Sequence, residues 1–366
     1  MCSFRTCYPV DLWPLRVTQA SVSAANRFAS PGIAADVAAT IRIQMECLGG
    51  LRLAQLPIGS IRFYLHGAGA AVHALYESLF VNTLRVSLRS AGAAGDTAQA
   101  VLSASSLRQV GFAPEEGALP YSDRSFLGYR LLEEYFSFPE KFLFFDVTGL
   151  DRMSLSGFGN AFEIVISLGE FVNKHRLAAL EQSVDANTFQ LGCAPIVNLF
   201  ERTAEPVRIS QTKTEYRVIP DQHRQMSTEI YSVDSVTSTA PYLEEAQRYE
   251  PFYSLGHGRD ESKKRFWYTH RRSSLRKNDN GTEIYISLVD LDFKPALPPV
   301  DMLTLRVTCT NRDQAPRLKL SGEFGELQAE GVALVRTRCL HKPTQTARPP
   351  RRRGLQWRLI SHLSLN

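Results

Sequence analysis

Ile41, Ile43, Met45 and Cys47 alternate with Arg42, Gln44 and Glu46, and Gly49-Gly50 closes the run. A period of two admits one regular structure, an extended strand with one covered face and one wetter face. The signature returns along the chain. Residues 61–66 repeat it after the turn signal Pro57-Ile58-Gly59, and residues 84–88 repeat it again. From residue 162 onward it dominates, at 162–168, 215–219, 229–233, 265–268, 283–289 and 303–310. Lys277-Asn278-Asp279-Asn280-Gly281 is a strong turn signal between two of these runs. A chain so divided builds sheets, and each sheet needs a second layer over its apolar face.

Two helical patterns interrupt the strands. Val72, Leu75, Tyr76, Leu79 and Phe80 fall at i, i+3, i+4, i+7 and i+8, one face of a helix. A second helix is predicted from Ser122 or Asp123, either of which can cap it, to the stop at Pro139. Its expected buried face is Leu131, Leu132, Tyr135 and Phe136, with Arg130 and Glu134 as an i,i+4 pair. The apolar run 142–145 then reads as a fully buried strand, so the 123–145 unit is expected to be core. On that reading Leu132→Ala opens a cavity costing ~2–5 kcal/mol. Residues 90–106, rich in Ala, Ser and Gly, read as a loop, and 170–210 as holding one or two short helices.

The fold class is therefore α+β. A mixed domain of strands with two helices is expected over 1–155, with the soft boundary in the Gly- and Ser-rich stretch from Gly149 to Gly159. A β-rich, sandwich-like domain is expected over 156–342, then a Pro- and Arg-rich segment over 343–366. The length of 366 residues fits two or three domains at about 150 residues each. Hydrophobic residues at 44% and charged residues at 22% exclude wholesale disorder and a small disulfide scaffold. No run approaches the roughly 18 apolar residues of a membrane span. Arg5, Asp11 and Arg16 interrupt the N-terminus, which does not read as a signal peptide.

Charge and spacing supply no chemistry. Forty-two basic and 37 acidic side chains leave a net +5, scattered rather than gathered, and no nucleic-acid partner is expected. Cys2, Cys7, Cys47, Cys193, Cys309 and Cys339 lie far apart, which predicts reduced, mostly buried thiols. The eight histidines show no metal-ligand spacing. Ser154 and Ser156 lack a nucleophile elbow, and Asp146 with Asp151 reads as a turn with solvated acids. No catalytic, cofactor-binding or metal-binding residue is assigned, and the chain is not expected to be an enzyme. Two rival readings stay open. Gly67-Ala68-Gly69-Ala70-Ala71-Val72 lies between a strand and a helix, the context of a dinucleotide loop, although Val72 stands where a third glycine belongs. Lys263-Lys264-Arg265 and Arg271-Arg272 flank Phe266-Trp267-Tyr268, and an exposed platform at Trp267 would favour a tail-like carbohydrate-binding sandwich.

Longer words are more specific. Phe4-Arg5-Thr6-Cys7-Tyr8-Pro9-Val10 precedes Trp13-Pro14, and Arg62-Phe63-Tyr64-Leu65-His66-Gly67 follows. Gly128-Tyr129-Arg130-Leu131-Leu132-Glu133-Glu134-Tyr135-Phe136 runs on to Phe138-Pro139-Glu140-Lys141-Phe142. Cys193-Ala194-Pro195-Ile196-Val197-Asn198-Leu199-Phe200, Tyr249-Glu250-Pro251-Phe252-Tyr253-Ser254 and Cys309-Thr310-Asn311-Arg312-Asp313 continue the series. Together these words resemble the TssF family, also called VasA or ImpG, of type VI secretion system baseplate subunits. The resemblance implies a non-enzymatic wedge subunit that assembles with TssG-like, TssK-like and TssE-like proteins around a VgrG-like spike. A second copy of the chain is a further implied partner. It also implies a cytoplasmic place at the inner face of the membrane, reached indirectly through the baseplate. Family members extend beyond both ends of this sequence, so the chain is expected to be truncated. Leu359, Ile360, Leu363 and Leu365 are then expected to lack part of what they pack against.

Overall fold

The computed structural model describes residues 2–24, 36–91, 99–121, 125–152, 155, 157–171, 174–210, 212–239, 247–252, 266–289, 302–319, 327–349 and 354–364. Contacts divide the chain into two compact units, Thr6–Ile196 and a second made of Met1–Arg5 with Val197–Asn366. In chain order the elements up to the division are β1 (Arg5–Thr6), β2 (Leu15–Ala24), β3 (Ala39–Cys47), β4 (Ser60–Leu65), α1 (Gly69–Val81), β5 (Thr83–Ser90), β6 (Gln99–Ser103) and β7 (Leu107–Val110). They continue with α2 (Leu127–Ser137), β8 (Phe144–Thr148), β9 (Ala161–Leu168), α3 (Lys174–Ser183), β10 (Phe189–Gln190) and β11 (Ile196–Val197), which pairs with β1.

The Thr6–Ile196 unit holds a five-stranded sheet of order β2-β3-β9-β5-β6 and a four-stranded sheet of order β10-β4-β8-β7. Every pair in them is antiparallel. The alternation at 41–47 performs as expected: Ile41, Ile43, Met45 and Cys47 are buried, and Ile41, Ile43 and Met45 face Ile166, Ile164 and Phe162 of β9. β9 is buried along Phe162–Leu168 because it is the central strand, which explains its near-continuous apolar run. Val72, Leu75 and Leu79 seat α1 against β5 and β9, and α3 packs on α1 and β2.

The expected change of domain near 155 falls elsewhere. β9 lies between β3 and β5, so residues 161–168 complete the first sheet, and the chain passes from one unit to the other at Ile196/Val197. The Gly- and Ser-rich stretch before β9 falls inside the Thr6–Ile196 unit. Residues 99–103, expected as loop, form the edge strand β6 on β5. Its face is only half covered, and Ala, Ser and Gln carry no alternation strong enough to read.

The second unit contains β12 (Phe200–Thr203), β13 (Val207–Arg208), β14 (Tyr216–Val218), β15 (Glu229–Thr239), β16 (Gln247–Pro251), β17 (Phe266–Ser273), β18 (Thr282–Val289) and β19 (Met302–Thr310), then α4 (Leu355–Leu363). They form one sheet of order β12-β19-β15-β16-β17-β18-β14, with β13 also on β19. β16 and β17 are parallel, and the other pairs among the described residues are antiparallel. Its core gathers Val236, Tyr249, Trp267, Ile286, Leu303, Leu305, Val307 and Cys309. The 277–281 signal does form the β17–β18 turn, with Asn278 in the left-handed region at φ 62°. Residues 342–349 carry no regular secondary structure and lie largely at the surface, and among the described residues of α4 every side chain is exposed.

Candidate interaction surface

α2 is turned around relative to its sequence pattern. Its buried residues are Arg130 and Glu134. The opposite face is open: Phe126 before the helix is 69% exposed, Tyr129 36%, Leu132 58%, Tyr135 49% and Phe136 81%. Leu131 is half-buried. The expectation of a buried Leu132, Tyr135 and Phe136 is therefore corrected. So is the large cavity cost for Leu132→Ala, because a side chain already in water leaves little cavity. Pro139 ends the helix as expected, and the run 142–145 is buried, with Phe144 and Phe145 in β8. The helix begins at Leu127, while Ser122 and Asp123 lie outside the described residues.

Charges hold the inward face. Glu134 accepts hydrogen bonds from the backbone N–H of Ala118 at 2.7 Å and Leu119 at 3.0 Å. The Lys141 Nζ lies 2.9 Å from its other oxygen, both side chains being 1% exposed. Lys141 also donates to Gly111 O at 2.8 Å. Arg130 donates to Pro114 O at 2.6 Å and Ala113 O at 2.9 Å, and lies 3.9 Å from Glu134. Glu116 completes the clasp by accepting from Gly111 N at 2.6 Å, Ala113 N at 3.1 Å and Arg108 at 3.1 Å. Four backbone N–H groups and three carbonyls of the 111–119 segment thus find side-chain partners. An irregular segment whose backbone is partly covered needs such partners, since an unpaired buried backbone group is costly.

A second cluster continues from it. Arg62 binds both oxygens of Asp146, at 2.7 and 2.9 Å, and its guanidinium stands 5.1 Å from the centre of the Tyr8 ring. Hydrogen bonding to Asp146 raises the Arg62 pKa, and burial pushes the Tyr8 phenol far above its ordinary value. Asp146 is thus an ion-pair partner within β8, while Asp151 sits exposed beyond the strand, so the two form no carboxylate pair. Glu133, beside Glu134, has its carboxyl raised by burial and by that neighbouring charge.

The outward face is an aromatic ladder. Phe126 and Tyr129 meet edge to face at 5.4 Å, and Tyr135 touches Phe136 at 5.7 Å and Phe142 at 6.0 Å. Phe112, itself 39% exposed, extends it through Phe142 at 4.9 Å. Exposed apolar surface of this continuity marks a place where another surface sits. Aromatic side chains concentrate binding energy because they bury large rigid areas at low entropic cost.

The rival sites do not assemble. β4 and β5, on either side of the Gly67–Val72 turn, belong to different sheets, so the turn is not part of a βαβ dinucleotide unit. Trp267 is buried in the core of its unit and offers no platform. Arg271 reaches the carbonyls of Ile230 and Tyr231, and Arg272 pairs with both oxygens of Glu215. Lys263, Lys264, Arg265, Ser154, Ser156 and the 351–353 arginines lie outside the described residues. Among the described residues no cluster of His, Cys, Asp and Glu could hold a metal. All six cysteines are free thiols, but only Cys47 and Cys309 are buried, so the expectation of mostly buried thiols is corrected. Among the described residues no helix is long and apolar enough to cross a membrane.

Comparison with known proteins is decisive. A family model for the type VI secretion system TssF protein matches residues 1–366. The chain belongs to the TssF family. This TssF-family chain is 32% identical over 381 residues to the type VI secretion system component TssF1 of Pseudomonas aeruginosa, across 100% of its own length and 60% of that relative. Its fold is similar, with a TM-score of 0.77 at 24% identity, to a chain in the cryo-electron microscopy structure of the type VI secretion system TssK-TssF-TssG baseplate subcomplex. That likeness covers 99% of this chain and 62% of the other. The TssF-family chain therefore spans about three-fifths of the length of the relatives it matches.

Proposed function

We propose that this chain is a structural, non-enzymatic subunit of a type VI secretion baseplate, and that the outward face of α2 docks a TssG-like subunit. The observation that carries the reading is the inverted helix. Its aromatic side chains reach water, Phe126 and Phe136 most fully, while buried charges anchor it. Glu115, Glu133 and Glu140 lie close in sequence to the ladder and favour a partner surface that is apolar at its centre and basic at its rim. TssK-like and TssE-like subunits and a VgrG-like spike are the wider partners that family membership supports, with assembly at the cytoplasmic face of the inner membrane. The buried ionic groups of the clasp sit out of reach of any substrate, in keeping with a role in shape rather than chemistry.

Co-expression with TssG-like and TssK-like proteins followed by size exclusion tests the proposal. The wild-type chain is expected to co-elute with the TssG-like protein, and Phe126→Ser/Phe136→Ser, at the two most exposed rings, to lose it while melting close to the wild type. Equal co-elution of the doubly substituted chain would move the interface away from α2. No co-elution of the wild type with either partner would remove the baseplate reading itself.

A further inference from the structure

The end of the Val197–Asn366 unit's sheet carries a second charge network, unrelated to the α2 face. Glu229 opens β15, Asp279 lies in the β17–β18 turn, and Arg312-Asp313 follows the end of β19. Glu229 accepts from the backbone N–H of Thr282 at 2.8 Å and from its hydroxyl. Arg312 adopts φ 51°, a left-handed conformation that non-glycine residues seldom take. Its buried guanidinium lies 2.8 Å from Asp279 and 3.8 Å from Glu229. At the sheet end Glu229 and Asp279 face Arg312, while Asp313 feels the charge of Arg317 but forms its ion pair elsewhere.

The cation that bridges Glu229 and Asp313 comes from far along the chain. Arg348 donates through Nη1 to Asp313 at 2.8 Å and through Nη2 to Glu229 at 3.0 Å. The fork bridges two carboxylates from different parts of the sheet end, a geometry that an ammonium group cannot reproduce. Two residues earlier, the Thr346 hydroxyl donates to Arg312 O at 3.0 Å. Otherwise residues 342–349 have no regular secondary structure and are largely exposed.

We propose that Glu229 and Asp313 form an arginine socket, and that residues 342–349 are a strap clasped there reversibly by Arg348. Closed, the clasp fixes where the strap leaves the sheet. Open, it frees the strap and leaves two carboxylates ready for another guanidinium. The ligand class of the socket is thus a guanidinium, supplied here by the chain itself. The inference does not rest on the docking role of α2.

Subtilisin digestion of the full chain, with fragments mapped by mass spectrometry, tests the clasp. Cleavage within 342–349 should accelerate about tenfold or more in Arg348→Ala, since two charge-assisted hydrogen bonds that hold the strap closed are lost. Arg348→Lys should behave nearly as the alanine variant, and Asp313→Asn should fall between. Millimolar ethylguanidinium should speed strap cleavage in the wild type by competing for the socket, whereas ethylammonium should not. The same ethylguanidinium should raise the melting temperature of Arg348→Ala by refilling the socket. Equal strap cleavage in wild type and Arg348→Ala would overturn the proposal. If Arg348→Ala loosens the whole unit, Asp313→Asn decides: strap cleavage unchanged from wild type with the fold intact would also overturn it.

Discussion

Replacing Glu134 by Gln should cost far more stability than trimming Leu132 to Ala, the reverse of what hydrophobic patterning implies. The glutamine keeps the shape and can still accept from Ala118 and Leu119, but its amide faces the Lys141 ammonium, donor against donor. Lys141 and Arg130, at 1% and 2% side-chain exposure, then lose their counter-charge in a place water does not reach. Breaking a buried ion pair from one side costs about 3–5 kcal/mol. Leu132 is 58% exposed, so less than half of the ~1.5–3 kcal/mol for full leucine burial is at stake, or about 0.6–1.3 kcal/mol. For a unit of this size each kcal/mol shifts the melting temperature by roughly 2–4 °C, so Glu134→Gln should lower it by about 6–20 °C. Tryptophan emission in a Trp267→Phe/Trp357→Phe background isolates Trp13, which reports the Thr6–Ile196 unit alone. If Leu132→Ala destabilised this unit more than Glu134→Gln, the helix would be held by its apolar face and not by its buried charges, which would refute the reasoning.

Gly117→Ala places a Cβ 2.3 Å from the pinned Arg130 Nη1, and should cost about 1–3 kcal/mol by overpacking, read as a lower urea midpoint. At Asp279 and Asp313 burial alone would raise the carboxyls, but hydrogen bonds and the charges of Arg312 and Arg348 hold them below the ordinary value of 3.8. The unfolded chain therefore takes up protons first as pH falls, so their stabilisation is present above about pH 4 and is lost below it. Thermal melts from pH 6 to 2.5 should show this, and Asp279→Asn should flatten the decline. Burial pushes the Cys309 thiol up to about 12, so timed alkylation at pH 8 should label the half-buried Cys2, Cys7, Cys193 and Cys339 before Cys309 and Cys47.

What the sequence made legible were features decided locally. Alternation at 41–47 placed a strand, its strong residues fixed the covered face, and the 277–281 turn announced its hairpin. β6 stayed hidden because an edge strand half covered by solvent needs no apolar code. The unit boundary at Ile196/Val197 was illegible because β9 joins β3 by pairing across more than a hundred residues. α2 misled for a subtler reason. Period 3.6 reports which side chains share a face, not which face points inward, and a rule that apolar means inside chose the wrong one. The corrective signal was present: Arg130, Glu134 and Lys141 are charges, and Gly117 lacks the side chain that would crowd Arg130, as Gly111 does for Lys141. It gains meaning only once Ala113, Pro114 and Gly111 are known to face those charges.

The inverted α2 separates two kinds of inheritance. Residues that keep the helix seated lie on one side, and those that reach water lie on the other, so mutation can rewrite the second set at a small folding penalty. Lineages of such a chain can drift in step with a changing counterpart, each keeping the same scaffold while its ladder of rings is re-cut. Mismatched pairs from distant lineages would then fold normally and fail only when mixed.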